Sequence, residues 1–292
     1  MATLREVSRR ITSVRNIAQI TRAMQMVAAS RMKRAQDAIL AARPYSDELR
    51  EALARVAGAV NAEVDPLLAR RPVQRVGLVV ITTDRGLVGS LNANAVRAVL
   101  RHVAEVAGDA HEGVEVSAIT VGRKGRDALR RAGVPIAAHF AQLGDRPSFA
   151  DVTPIARLVT EDFLAGAYDR IEIAYSAFIN TLSQRPVIRT VLPVDRPRMG
   201  EQETETNDEY LFEPSPEAVL GRLLPHFVAV DIYRAVLENR ASEQSAQMVA
   251  MRNATDNARE LIGDLTLVYN KTRQANITRE MTEIASGAEA LG

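Results

Sequence analysis

The sequence predicts an antiparallel two-helix coiled coil, formed by the N- and C-terminal helices, with an inserted Rossmann-like α/β domain whose sheet is mostly parallel. Three observations predict it. The first proline after Met1 is Pro44 and the first glycine is Gly58, so the N-terminal stretch has an uninterrupted helical composition. From Ser215 to Leu291 only Pro216, Gly221, Pro225, Gly263 and Gly287 interrupt a second such stretch. Between them, short apolar runs alternate with amphipathic segments and Gly-rich turns. A helix of ~55 residues is roughly 80 Å long and cannot bury its apolar face on a small domain. Two such helices, one from each end of the chain, can bury their faces on each other, which suggests a rod.

Thr3-Leu4-Arg5-Glu6 is a capping-box pattern and starts the first helix almost at the terminus. Leu4, Val7, Ile11 and Val14 step by three and four; Ile17, Ile20, Met24 and Val27 are expected to continue the stripe, flanked by Ala18 and Ala28. A mean step below 3.6 favours a left-handed supercoil. Pro44 is expected to end or kink this section, with Leu49, Leu53 and Val56 resuming it up to Gly58 and the Asp65-Pro66 turn.

The middle segment begins with Val76–Thr82, an apolar run expected of a strand buried on both faces. The turn Asp84-Arg85-Gly86 leads to a helix over about Asn94–Ala107, then a strand over Val114–Val121. Gly122-Arg123-Lys124-Gly125 opens another helix ending near Gly133, and a third strand lies near Ile136–Phe140. Thr153-Pro154 is expected to open a helix to about Ala165, followed by strands at Ile171–Ala177 and Val187–Leu192. Ser215-Pro216-Glu217 then starts the last helix. There Leu237, Met251, Ala258 and Leu265 share one heptad position with Gln244, and Ala241, Met248 and Ile262 share the other with Thr255 and Tyr269. Small and polar residues interrupt this seam, so it packs closely but weakly. The expected division is 1–62 for the N-terminal coiled-coil helix, 72–194 for the α/β domain, 195–214 for an acidic linker and 215–292 for the C-terminal coiled-coil helix.

Composition narrows the function. Among 292 residues there is no Trp and no Cys, which excludes disulfides, thiolate metal sites and cysteine nucleophiles. No apolar run reaches the ~18 residues of a membrane span. The N-terminus lacks the apolar core of a signal peptide, and its helical stripe runs past any plausible cleavage point, so the chain is expected to be soluble and cytoplasmic. Net charge is +1, yet the charges are segregated. Arg5, Arg9, Arg10, Arg15, Arg22, Arg31, Lys33, Arg34 and Arg43 face only Glu6 and Asp37, whereas the stretch from Asp195 to Glu217 is acidic. That is either a solvated face plus an exposed loop, or a basic helix passing an acidic partner.

Candidate chemistry is sparse. Asp84–Ser90 follows a strand but lacks GxGxxG spacing and a phosphate-loop lysine. Gly122–Arg126 sets basic residues at a strand-to-helix turn, readable as a structural turn or as an anion site. His102, His111, His139 and His226 are scattered without metal-ligand spacing, and Met24, Met26, Met32, Met248, Met251 and Met281 read as core packing. No catalytic residue, cofactor or metal is expected.

Several stretches closely resemble the γ subunit of F-type ATP synthases, in the same order along essentially the whole chain. They are Arg10–Asn16 and Gln19–Ser30, Thr83–Leu87 with Gly89 and Asn92, Phe178–Thr181, and Tyr210–Pro214. Ser242–Gln244, Met248–Met251, Ala254–Asn257, Leu267–Lys271, Arg273–Ala275, Ile277-Thr278 and Glu283–Ala288 complete the set. The resemblance implies a non-catalytic central rotor shaft. It would couple proton flow through the membrane c ring to rotation inside an α/β hexamer, with the ATP chemistry on the β subunits and an ε subunit beside the foot. It implies that Arg9, Arg10, Arg15, Arg22 and Met24 face the β-subunit lever and that Gln274, Thr278 and Glu280 engage a β-subunit catch. Gln247 stands where many members have arginine and makes weaker hydrogen bonds to that catch. Tyr210 and Glu213 match positions that meet the c ring, and Ala285, Ala288 and Leu291 match the bearing at the tip. For each, coiled-coil packing or solvation is the alternative. Val88 stands where the family often has cysteine, and no cysteine-bearing insert is present, so a bacterial, peripherally membrane-bound subunit is expected. The competing readings are a nucleotide-binding α/β protein with a coiled-coil dimerisation arm and, more remotely, a basic-helix nucleic-acid binder.

Overall fold

The computed structural model describes residues 3–59, 65–109, 113–195 and 213–289. In chain order the elements are α1 (Leu4–Ala59), β1 (Arg75–Ile81), α2 (Leu91–Asp109), β2 (Glu115–Val121), α3 (Arg123–Arg131), β3 (Ile136–Phe140), α4 (Phe149–Leu164), β4 (Arg170–Phe178), β5 (Gln184–Leu192) and α5 (Pro216–Glu289). They divide into a helical unit, Met1–Ala29 with Gln247–Gly292, and an α/β unit, Ser30–Ala246. The two long helices contribute to both.

In the α/β unit five strands form one sheet in the order β3-β2-β1-β4-β5. The first four are parallel, and β5 returns antiparallel to β4 across the Asn180–Ser183 turn. β1 is central and buried at every residue after Arg75, as its unbroken apolar run requires. Helices cover both faces. Val99 of α2 and Leu129 of α3 pack with Leu78, Val80 and Ala118 on one side. On the other, Phe163, Ile155 and Val159 of α4 share a core with Leu53 and Val56 of α1 and with Leu220, Leu224, Val228 and Ile232 of α5. The long helices are therefore part of the α/β core here. Arg31 of α1 and Arg240 of α5 share the Asp145 carboxylate, while Tyr45 of α1 reaches His226 of α5, so the two run antiparallel in this unit. Arg189 of β5 binds Asp231 of α5 through two hydrogen bonds, one of 2.9 Å, and lies 5.6 Å from the Tyr175 ring centre. Burial opposes its charge, but the carboxylate and the phenol more than offset this and hold the guanidinium above its ordinary pKa.

Two expectations about helix ends are corrected. α1 neither ends nor restarts at Pro44 but continues through it. Pro44 and Leu40 are both exposed, so this turn lies on the solvent side of the helix, where a missing N–H costs least, and the buried Leu49, Leu53 and Val56 hold the following turns. α4 starts at Phe149, four residues before the Thr153-Pro154 signal. Ser148 and Asp151 form a capping box, with the Ser148 N–H donating to Asp151 Oδ2 at 2.8 Å. Two satisfied donors outweigh the proline preference for the first turn.

In the helical unit the capping box at Thr3 forms as expected, with Thr3 N–H to Glu6 Oε2 at 2.8 Å and Glu6 N–H to Thr3 Oγ1 at 3.3 Å. On α5 the buried or half-buried positions include Met248, Met251, Thr255, Ala258, Ile262, Leu265 and Tyr269, the heptad seam read from the sequence. On α1 the stripe is different from the one expected. After Val14 it passes through Ala18, Thr21, Met24 and Ala28, while Ile17, Ile20 and Val27 are 49%, 59% and 51% exposed. Small residues let the backbones approach, and Thr21 Oγ1 lies 2.7 Å from Thr255 Oγ1 across the seam. Met26 and Met281 are likewise exposed, not core residues.

Candidate functional site

In open α/β sheets ligands bind outside the carboxyl ends of the strands, where the strand order reverses. Here that point lies between β1 and β4. The chain leaving β1 is Thr82-Thr83-Asp84, and it spends its polar atoms on α3. Gly125 N–H donates to Thr82 Oγ1 at 2.8 Å, Lys124 N–H to the Thr83 carbonyl at 3.1 Å, and Arg123 N–H to Asp84 Oδ1 at 3.0 Å. The other oxygen of Asp84 accepts the Gln142 N–H at 3.0 Å. A side-chain carboxylate thus holds the positive end of α3, where a phosphate would otherwise sit. Gly122 has φ +98°, and a Cβ there would lie 2.3 Å from the Thr82 carbonyl oxygen, so glycine is required for this close packing. The Gly122–Arg126 stretch is a structural turn.

The crevice itself is filled by α5. Asn239 Oδ1 accepts the Ser176 N–H at 3.2 Å, and Ser242 Oγ donates to the Ser176 carbonyl at 2.8 Å. Ser245 Oγ donates to the Thr181 carbonyl at 2.5 Å and accepts from Gln184 Nε2 at 3.3 Å. These polar residues recur every third position and satisfy the end of β4 and the loop after it. Sequence reasoning did not give them this role: Asn239, Ser242 and Ser245 stand at three-residue spacing among Glu238, Arg240, Glu243 and Gln244, where polar residues attract no notice. About 40 Å³ of cavity remains beside Thr82, Asp84, Asn239 and Glu243. That is room for a few waters, far below the roughly 300 Å³ of a small-molecule site. Burial pushes the Glu243 carboxyl up in pKa, and its bond to Arg240 offsets part of that.

The described histidines each bond a neighbouring side chain. His102 bonds Glu172 at 2.5 Å, His139 bonds Thr120 at 3.0 Å, and His226 bonds Tyr45 at 2.6 Å; His111 lies outside the described residues. The residues implicated by resemblance fall largely on the helical unit. Arg9, Arg10, Arg15 and Arg22 are exposed, and none of them ion-pairs with a carboxylate among the described residues. Met24, in the seam, and Gln247 are half-buried, and Gln274, Thr278, Glu280 and Ala285 are exposed. Glu213 is exposed in the α/β unit. Tyr210 and Leu291, and the side chain of Ala288, lie outside the described residues. Unit by unit, the structure gathers the arginines with exposed Ile17, Ile20, Met26 and Val27 on α1, and Gln274 and Thr278 with exposed Ile277, Met281 and Ile284 on α5.

Fold and surface together define a class: a paired-helix protein built on a Rossmann-like domain whose ligand crevice is closed by its own helix. Comparison with known proteins gives the family. A family model described as "ATP synthase" matches residues 3–291. A protein named "ATP synthase gamma chain" from Roseiflexus sp. (strain RS-1) is 51% identical over 100% of this chain and 99% of its own. One of the same name from Desulfitobacterium hafniense is 45% identical over the full length of both. Among solved structures, a chain of the Tetrahymena thermophila mitochondrial ATP synthase central stalk and c ring aligns with TM-score 0.60 and 26% identity, over 80% of this chain and 99% of that one. A chain of the Euglena gracilis mitochondrial enzyme shares the fold at TM-score 0.66 and 21% identity, over 99% of this chain and 94% of that one. The chain belongs to the ATP synthase gamma-chain family.

Proposed function

We infer that this chain is the central rotor shaft of an F-type ATP synthase. The observation that carries the reading is the full-length match to bacterial gamma chains combined with where the chain leaves surface unpaired. The helical unit confines burial to a narrow seam and presents basic and apolar side chains outward, as a surface that meets other subunits must. Its partners are the α and β subunits around the helices, with ε and the c ring at the α/β unit. Proton flow turns the ring, and the shaft offers each β subunit a different face in turn. Because each face favours one β conformation over another, rotation and nucleotide affinity are coupled reciprocally.

The shaft itself does no bond chemistry. Support comes from the closed crevice and from the Asp84 carboxylate at the N-terminus of α3, which also weigh against the nucleotide-binding alternative. No described helix is long and apolar enough to cross a membrane. Its full-length relatives at 45–51% identity include bacterial gamma chains, and on that ground the shaft works at the cytoplasmic face of the cell membrane, held there through the c ring. Arg22 and its basic neighbours meet the β lever, Gln274, Thr278 and Glu280 the catch, and Glu213 the c ring.

The test is reconstitution with α and β subunits, reading ATP hydrolysis and single-molecule rotation of a probe on the α/β unit. Stepwise rotation is expected. Arg22→Ala is expected to change chain stability by less than about 0.5 kcal/mol while lowering torque and turnover by roughly two- to tenfold. A chain that neither assembles nor alters turnover overturns the rotor reading.

A further inference from the structure

The α/β unit holds a second cavity. It measures about 410 Å³ and lies between α1, the loop before α4, and α5. Its inner wall is apolar, from Ala35 and Ala38 of α1, Pro147 and Leu237. Its polar groups are unbalanced. Arg31 binds Asp145 at 2.9 Å, and Arg240 is held by Asp145, by Glu243 and by the Gly144 carbonyl. Arg34 and Arg146 also line the cavity, and neither ion-pairs with a carboxylate among the described residues. Four guanidinium groups thus share two carboxylates. At the cavity wall, Gln244 is 3% exposed, and its buried Oε1 lacks a hydrogen-bond partner among the described residues. A buried orphan of this kind is costly unless something supplies the missing bond.

We propose that this cavity is a binding site for a small organic phosphate. Two uncompensated guanidiniums match the charge of roughly −2 on a phosphomonoester at neutral pH. Their planar forks suit phosphate oxygens better than a point charge does. The Gln244 Oε1 calls for a hydrogen-bond donor, and a sugar hydroxyl supplies one and would serve equally if the amide were turned. The apolar wall takes the uncharged body of the ligand. The volume falls within the roughly 300–1,000 Å³ typical of small-molecule sites. The site is independent of the rotor reading, and it adjoins the crevice closed by Asp84, with Pro147 and Arg240 lining both.

The experiment is calorimetric titration of the full-length chain with AMP, with a hexose monophosphate and with inorganic phosphate. At least one organic phosphate is expected to bind with Kd below about 1 mM, at least tenfold more tightly than inorganic phosphate. Which of the two binds identifies the source as nucleotide or sugar phosphate. Combining Arg34→Gln with Arg146→Gln is expected to weaken binding at least tenfold with the melting temperature unchanged, because both side chains are exposed. Gln244→Leu is expected to weaken the organic ligand but not inorganic phosphate. The proposal is overturned if neither organic phosphate binds below 1 mM, if inorganic phosphate binds equally well, or if the double variant binds like the native chain.

Discussion

Two stretches of the same helix solve the burial problem in opposite ways. Between Leu220 and Ser245, α5 is surrounded: Leu224, Val228, Ile232 and Ala235 enter the α/β core, and Asn239, Ser242 and Ser245 bond the end of β4. From Arg252 onward most of its positions are exposed, and the covered ones form a single stripe at heptad spacing. Both stretches contain polar residues inside, but for different ends. Asn239 and the serines close a crevice where relatives of the Rossmann fold hold ligands. Thr255 lets two backbones approach while its hydroxyl meets Thr21. The α/β unit is stabilised by volume filling and by hydrogen bonds to most of its buried polar atoms, Gln244 Oε1 excepted. The helical unit accepts a thin seam and leaves many large apolar groups outward, Ile17, Ile20, Leu267 and Ile284 among them. A shaft needs that second arrangement, because its outer surface is the working one.

The contrast can be broken at chosen points. The largest effect is expected for Leu224→Ala, which empties a fully buried site: about 3–4 kcal/mol lost from the α/β unit, read by denaturant unfolding of the full chain. A loss below about 1 kcal/mol would mean that α5 is not part of that core. Gly122→Ala comes next, at about 2–3 kcal/mol, because the new methyl meets the Thr82 carbonyl oxygen and the backbone is left-handed there. Hydrogen exchange at Gly125 and Lys124 should rise in step, and unchanged protection would refute the close approach.

In the helical unit Thr255→Ala should cost only ~1 kcal/mol, visible as faster proteolysis of the terminal helices and not of the sheet. The smallest effect sharpens the polar side of the comparison. The Glu243 pKa is raised by burial, so its folded value lies above its unfolded one. Its contribution is fully present below the unfolded carboxylate pKa of about 4.3 and is lost as pH rises through the folded value. The native chain should therefore lose stability relative to Glu243→Gln as pH increases over that window. A difference that stays flat, or grows in the native chain's favour, contradicts the burial argument.

Legibility followed the range of the forces involved. Strand β1 was readable because a run buried on both faces has no polar alternation to conceal it. The capping box at Thr3 and the start of α5 at Ser215 were readable because each is settled within one turn. The start of α4 was misplaced where two local signals competed and reciprocal hydrogen bonding prevailed over proline preference. The α1 stripe was misassigned after Val14 because the larger side chains, Ile17, Ile20 and Val27, look like core. Closeness of approach, which favours Ala18, Thr21 and Ala28, is a property of the pair of helices. At the candidate site, the absence of a phosphate-loop pattern was visible in the residues. That Asp84 takes the phosphate position, and that α5 fills the crevice, was not.

What the sequence determined by itself was local and periodic: long helices at both ends, an alternating α/β middle, the α5 heptad seam, and the exclusion of thiol chemistry by composition. What only the tertiary structure decided was which surfaces meet. It assigned Asn239, Ser242 and Ser245 to close the sheet and turned Ile17 and Ile20 outward. It also brought Arg34, Arg146 and Gln244 to one cavity from three separate segments. Periodicity records which face of an element is apolar, but contacts between residues far apart in the chain depend on packing that no single segment encodes.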